Sequence, residues 1–200
     1  MQKHIKGQIA VADGKSEEGL FFIAIVPPRT IQTQVTQLKE EVRDKYGSKH
    51  ALNSPAHITL HMPFKWKMKK LDLLTETLIK MSGGQHDFDI QLMGFSAFPP
   101  RVIYIDVVPN EALRSLQKHV VTIARRQLGL DNGDYKGRGF HPHVTIAFRD
   151  LKKAKFEKAW NDFKNRAFQV TFSASSLTLL KHDAGRWSVY RELPLDTSCP

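Results

Sequence analysis

The sequence predicts an α+β fold of two lobes related by a pseudo-twofold duplication. Opposed, mainly antiparallel sheets carry helices on their outer faces and leave an active-site groove between the lobes. Two observations carry this expectation. The order strand, helix, strand, helix, strand runs twice along the 200 residues. The middle strand of each pass holds a histidine, an apolar residue and a threonine, as His57-Ile58-Thr59-Leu60 and as His143-Val144-Thr145-Ile146. Residues two apart in a strand share a face, so each histidine is paired with its own threonine. Burying a helix-covered sheet face in each lobe turns the other faces, and with them the two motifs, toward each other.

Residues 1–19 form a polar N-terminal arm, and residues 20–200 form one bilobal domain with approximate repeats at 20–98 and 102–195. Leu20 to Val26 is a continuous apolar run stopped by Pro27-Pro28, the mark of a buried strand. Ile31, Val35, Leu38, Val42 and Tyr46 then recur at helical spacing, and Gly47 stands where a C-terminal cap belongs. The first motif strand runs from His57 to Met62 and is closed by Pro63. A basic turn over Phe64 to Lys70 leads to a helix marked by Leu71, Leu74, Leu78 and Met81, ended by Gly83-Gly84. Phe88 to Phe98 is the third strand. Val102 to Val108 restarts the series, and Asn110 caps a helix that buries Leu113, Leu116, Val120, Ile123 and Leu128. A glycine-rich loop over 131–139 precedes the His143 strand. Asp150 caps a helix carrying Phe156, Ala159, Trp160 and Phe163; Phe168 to Leu180 and Trp187 to Leu193 complete the strands.

The chain carries a formal net charge of +10, most of it in the second half, a balance that favours polyanionic partners such as RNA or nucleotides. The single cysteine, Cys199, excludes a disulfide framework and a cysteine-based metal site. The longest apolar run is too short to cross a bilayer, and the mixed-charge N-terminal arm does not resemble a secretory signal, so a cytoplasmic protein without a membrane partner is expected. A monomer is the favoured state.

Two facing imidazoles with pKa values near ~6.5 supply a general base and a general acid at cellular pH. Each threonine hydroxyl donates to a nonbridging phosphate oxygen while the histidines serve the attacking and leaving oxygens. This is phosphodiester chemistry without a metal or other cofactor, and duplication follows from it, because in-line displacement needs acid and base on opposite sides of phosphorus. The rival is a metal site, since in straight strands His61 shares the face of His57 and His141 that of His143. No cysteine or neighbouring carboxylate completes such a site, which favours proton transfer. Candidate substrate contacts around the motifs are His141, Arg149, Lys136 and Arg138 of the glycine-rich loop, and Phe64 and Tyr190, each of which either stacks on a base or completes the core.

These residues resemble a family, the two-histidine phosphoesterases, and within it the 2'-5' RNA ligase-like group with RNA 2',3'-cyclic phosphodiesterase activity. The resemblance spans about residues 20 to 195. It rests on Leu20-Phe-Phe-Ile-Ala-Ile-Val-Pro-Pro28, His57-Ile-Thr59-Leu60, Phe140-His-Pro-His143-Val-Thr145-Ile146 and the closing Tyr190-x-x-Leu193-x-Leu195. It implies catalysis by His57 and His143, phosphate contacts from Thr59 and Thr145, and hydrolysis of a 2',3'-cyclic phosphate to a 2'-phosphate, with reversible 2'-5' ligation as an accompanying activity. The alternatives are cleavage of 2'-5' oligonucleotides or of another small cyclic phosphate, and an RNA-binding module without catalysis. The sequence leaves open which histidine is acid and which is base.

Overall fold

Two four-stranded antiparallel sheets frame the molecule, and the computed structural model describes residues 17–132 and 139–197. The first pass forms β1 (Glu18–Ile25), α1 (Arg29–Tyr46), β2 (Ile58–Lys67), α2 (Leu71–Ser82) and β3 (Phe88–Phe98). The second forms β4 (Val102–Val107), α3 (Glu111–Ile123), β5 (His143–Ala147), α4 (Lys153–Phe163), β6 (Gln169–Ala174), β7 (Ser176–Asp183) and β8 (Arg186–Pro194). Helix limits follow local chemistry. Gly47 takes the left-handed conformation (φ +77°) that lets its N–H reach the Arg43 carbonyl at 2.8 Å and close α1. Asn110 Oδ1 accepts the Leu113 N–H at 2.9 Å and opens α3.

The strand orders are β2-β1-β7-β8 and β5-β4-β3-β6. The sheets therefore do not follow the sequence repeats. β3, from the first pass, lies in the second sheet, while the first sheet is completed by β7 and β8. The stretch from Phe168 to Leu180, expected as one strand, is two strands in different sheets, and the chain changes lobes at Ser175. Sequence periodicity has no access to this crossing, because the residues on either side of Ser175 are equally strand-like.

Two further expectations are corrected. Pro63 does not close the first motif strand: β2 continues through it to Lys67, so the basic segment 64–67 is strand rather than turn. β2 is an outermost strand with irregular pairing between Phe21 and Ile23 of its neighbour, a place where a residue without an N–H is tolerated. Asp150 does not cap α4, whose N-cap position is Lys152. Its carboxylate instead crosses between the two passes, accepting the Ser48 hydroxyl at 2.7 Å and the Lys49 and His50 N–H groups at 2.9 and 3.0 Å.

That contact has a counterpart. Asn132 Oδ1, just beyond the turn that follows α3, accepts the Met62 N–H of β2 at 2.8 Å. In both cases the segment after the first helix of one pass is tied to the motif strand of the other or to the residues just beyond it. α1 packs against β5 and α3 against β2, and the motif strands, each the outermost of its sheet, are themselves neighbours. The buried stripe Ile31, Val35, Leu38, Val42 and Tyr46 of α1 shares one core with Ile23, Ile105, Val144 and Ile146, so one apolar cluster joins the lobes. Burial of side chains of this size contributes about 1.5–3 kcal/mol each.

Replacing Asp150 by Ala removes three charge-assisted acceptor contacts between the two passes of the chain at once. The expected loss is about 2–4 kcal/mol of stability, with a smaller loss for Asp150→Asn, measured as a shift in the urea midpoint.

Candidate active site

The first sheet turns one face to the core and the other to the groove. Phe21, Ile23 and Ile25 of β1 point into the core under the helices, while Phe22 and Ala24 form a separate small cluster with Leu180 on the groove side. His57 stands one residue ahead of β2 with its ring 4.7 Å from that of Phe22, and Thr59 lies opposite Ala24, so both face the groove. On the second sheet His143 and Thr145 pair with Asp106 and Tyr104, and the intervening Val144 and Ile146 are buried. Each motif thus presents its histidine and threonine on one face, as strand alternation requires. Neither threonine hydroxyl has a hydrogen-bond partner among the described residues.

The two histidines are held alike. His57 Nδ1 lies 2.8 Å from the Pro55 carbonyl, and His143 Nδ1 lies 2.8 Å from the His141 carbonyl. A carbonyl oxygen only accepts, so Nδ1 carries the proton in each ring and Nε2 is left for the groove. The loop that fixes His57 is itself clamped by α1. The Gln32 side-chain amide makes two bonds to Ala56, accepting its N–H at 2.7 Å and donating to its carbonyl at 2.6 Å. Lys39, only 2% exposed, donates from Nζ to the Ser54 carbonyl at 2.9 Å.

Burial dominates the electrostatics. Desolvation lowers the pKa of His57 from 6.5 to about 4; the Pro55 carbonyl opposes this, and the charges of Lys39 and of His143 lower it further. The two imidazoles are therefore within electrostatic reach of each other. His143 is lowered too, chiefly by burial, with its carbonyl bond opposing, His141 adding to the depression and Asp106 opposing it. Lys39 is pushed down to about 8 by burial.

The other sequence-predicted residues separate. His61 does not join His57. Thr59 pairs with Ala24 but His61 with Ile23, so Leu60 is an extra residue, and this bulge turns His61 onto the core face, where it is 1% exposed and set edge-on to Phe64 at 5.4 Å. Phe64 stacks on Phe21 in the core and is withdrawn from the groove. Tyr190, 40% exposed, rests its ring edge against Phe21 beneath Lys181, on the side away from the groove cluster. Arg149 follows the far end of β5, about 20 Å of extended chain from His143, and covers the ring of Phe148. His141 lies at the site: its carbonyl holds His143, and its Nε2 is 3.0 Å from the Tyr104 hydroxyl and 3.8 Å from Asp106. Lys136 and Arg138 lie outside the described residues, as do Cys199 and residues 1–16 of the arm. The four-histidine convergence of the rival reading does not form, and no group of three or more ligating side chains gathers among the described residues.

Several residues of the site were not singled out from sequence: Gln32, Lys39, Phe22, Phe98, Tyr104, Asp106 and Trp187. For Tyr104 and Asp106 a signal existed, because they interrupt the apolar run of β4 at every second position while Ile103, Ile105 and Val107 fill the core. An imidazole pair of this kind can pass protons to and from two oxygens, and the free hydroxyls can donate to a third group between them.

Two lobes that set one histidine strand beside another define a two-histidine phosphoesterase. The chain belongs to the 2'-5' RNA ligase superfamily, whose family model matches residues 27–186. Solved structures agree on the fold. The apo form of LigT from E. coli is 20% identical with a TM-score of 0.66, over 90% of this chain and 99% of that one. LigT from E. coli complexed with 3'-AMP is 21% identical with a TM-score of 0.64, over the same 90% and 99%. TT0787 of Thermus thermophilus is 18% identical with a TM-score of 0.63, over 88% and 97%. No curated protein matches the sequence.

Lys39→Met retains the buried stem and removes the positive charge that lowers the His57 pKa. The His57 titration followed by NMR is expected to move up from about 4 in this variant.

Proposed function

We propose that the protein is a metal-independent phosphodiesterase that hydrolyses RNA or nucleotide 2',3'-cyclic phosphates to 2'-phosphates. The observation that carries this reading is the matched pair of imidazoles, each with Nδ1 locked on a backbone carbonyl and Nε2 free, in a chain of net charge +10. That LigT from E. coli has been solved with 3'-AMP supports a nucleotide substrate for this chain as well. His57, held lower in pKa and facing the Lys39 charge, is the base, and His143, beside Asp106, is the acid.

A water oxygen attacks phosphorus and the P–O3' bond breaks. His57 Nε2 takes the water proton, and His143 Nε2–H gives its proton to O3', leaving a 2'-phosphate and a free 3'-hydroxyl. Thr59 and Thr145 donate to the nonbridging oxygens as charge accumulates there. With His61 on the core face and both Nδ1 atoms already bonded, the site works through proton transfer, and the protein acts as a soluble cytoplasmic monomer on RNA ends or nucleotides. The basic loop residues Lys136 and Arg138 and the exposed Arg149 contribute to attraction of the polyanion rather than to the chemical step.

The pH dependence has a definite sign. The base works only when unprotonated, so kcat/KM falls as pH drops through the His57 pKa near 4; the acid works only when protonated, so it also falls as pH rises through the His143 pKa. Both lie below the ordinary value, so the kcat/KM bell is expected to peak on the acid side of pH 6.5. The bell for kcat lies at higher pH, because a bound phosphate anion raises both imidazoles.

His57→Ala and His143→Ala are each expected to lower turnover of adenosine 2',3'-cyclic monophosphate by ~10²–10⁴-fold, with the double variant little worse than either. Thr59→Ala and Thr145→Ala cost less, about 1.5–3 kcal/mol in the barrier. Near-normal turnover in either folded histidine variant would falsify this assignment. Chelation is expected to leave the rate unchanged; a rate abolished by chelator and restored by one divalent ion would replace proton transfer by coordination.

A further inference from the structure

Two aromatic side chains on the groove walls are unused by this mechanism. Phe98, at the end of β3, is 39% exposed although large and apolar, and its ring lies 5.4 Å from His143, 5.3 Å from His141 and 4.6 Å from Tyr104. Trp187, at the start of β8, is half-buried on the opposite lobe. It pairs with His182, which pairs with Leu20, in the alternating row that also contains Phe22 and Leu180, so its indole belongs to the groove face. Its ring is 4.6 Å from Phe22 and 5.0 Å from His182, and Phe22 in turn touches His57. One aromatic therefore abuts the acid histidine directly, and the other stands one ring beyond the base histidine.

We infer that Phe98 and Trp187 are nucleobase platforms on opposite walls of the groove, so that the site seats a nucleoside on each side of the phosphorus. The inference rests on the phosphodiesterase reading and narrows its substrate. Aromatic rings accept any base by stacking, which suits an RNA site without sequence preference. A cyclic mononucleotide brings one base and uses only the nearer platform, Phe98. A 2'-5'-linked dinucleotide brings two and uses both.

With both platforms filled, the group that attacks is a ribose hydroxyl instead of water. The 3'-hydroxyl of the nucleoside on Phe98 attacks phosphorus and the P–O5' bond breaks; the imidazoles exchange their hydrolytic roles, His143 Nε2 taking the hydroxyl proton and His57 Nε2–H protonating O5'. The products are a 2',3'-cyclic phosphate and a free 5'-hydroxyl, and the reverse reaction forms the 2'-5' link. Trp187 is then the residue that holds the nucleoside bearing the 5'-oxygen.

The test compares adenosine 2',3'-cyclic monophosphate with adenylyl-(2'-5')-adenosine. Phe98→Leu is expected to raise KM for both by a similar factor, about tenfold from the loss of one stacked base. Trp187→Leu is expected to raise KM for the dinucleotide about tenfold more than for the cyclic mononucleotide, and Trp187→Phe to recover most of the difference. A Trp187→Leu effect equal on both substrates, or none on either, overturns the second platform. Binding of the dinucleotide to the His57→Ala, His143→Ala protein, by titration calorimetry, keeps the two ideas separable. Trp187-dependent binding by a wild-type chain that turns over neither compound sinks the phosphodiesterase reading and leaves the platforms standing; binding indifferent to Trp187 sinks the second platform alone.

Discussion

A backbone carbonyl cannot donate a hydrogen bond, and the site depends on that constraint twice. Because Pro55 and His141 each turn a carbonyl onto Nδ1 of the histidine two residues ahead, neither imidazole chooses its tautomer or its orientation. Everything that fixes those two carbonyls is therefore part of the site at one remove. For His57 this is α1, through Gln32 and Lys39. For His143 it is the second sheet, through the bond of His141 to Tyr104. A side-chain carboxylate in place of either carbonyl would bring a negative charge and stabilise the imidazolium; the neutral carbonyl fixes geometry while leaving burial to set the proton affinity.

Burial is possible at this place because the motif strands are outermost in their sheets and stand beside each other. An outermost strand ordinarily exposes unpaired backbone groups, and here they are met from the other pass of the chain, as Asn132 meets the Met62 N–H and Gln117 reaches the Leu60 carbonyl at 3.4 Å. The edge that most sheets must protect is used as the seam between lobes. The Asp150 contacts to Ser48, Lys49 and His50 complete the seam on the other side. The groove is thus bounded by two sheets whose relative placement is set within a few residues of the histidines.

Much of this was legible in the sequence, and for identifiable reasons. The helices α1 and α3 announced themselves by apolar spacing and by the caps Gly47 and Asn110, both of which act locally. The duplicated His-x-Thr strands placed four side chains correctly on two shared faces because alternation is a property of any strand. What failed was non-local. The bulge at Leu60 that sends His61 to the core is a matter of pairing with β1, and Asp150 spends its carboxylate on a loop a hundred residues away instead of on the next helix. Phe64 and Tyr190 are aromatic residues beside motifs, a sequence fact that says nothing about which face of a sheet they take. Lys39 carries no signal of its own in the sequence, and its ammonium is enclosed only because the loop at Ser54 folds over it.

The exchange of strands between the lobes sets an order of assembly. During synthesis β1 and β2 emerge early, yet a lone pair of strands is marginal in water, and the third member of their sheet, β7, begins at Ser176. The second sheet, by contrast, has all four of its strands once Ala174 has left the ribosome. The lobe that carries His143 is thus complete before the lobe that carries His57, and the first motif histidine made is the last to be set in its sheet. A chain halted before Ser176 holds both His-x-Thr motifs and still lacks one wall of its groove.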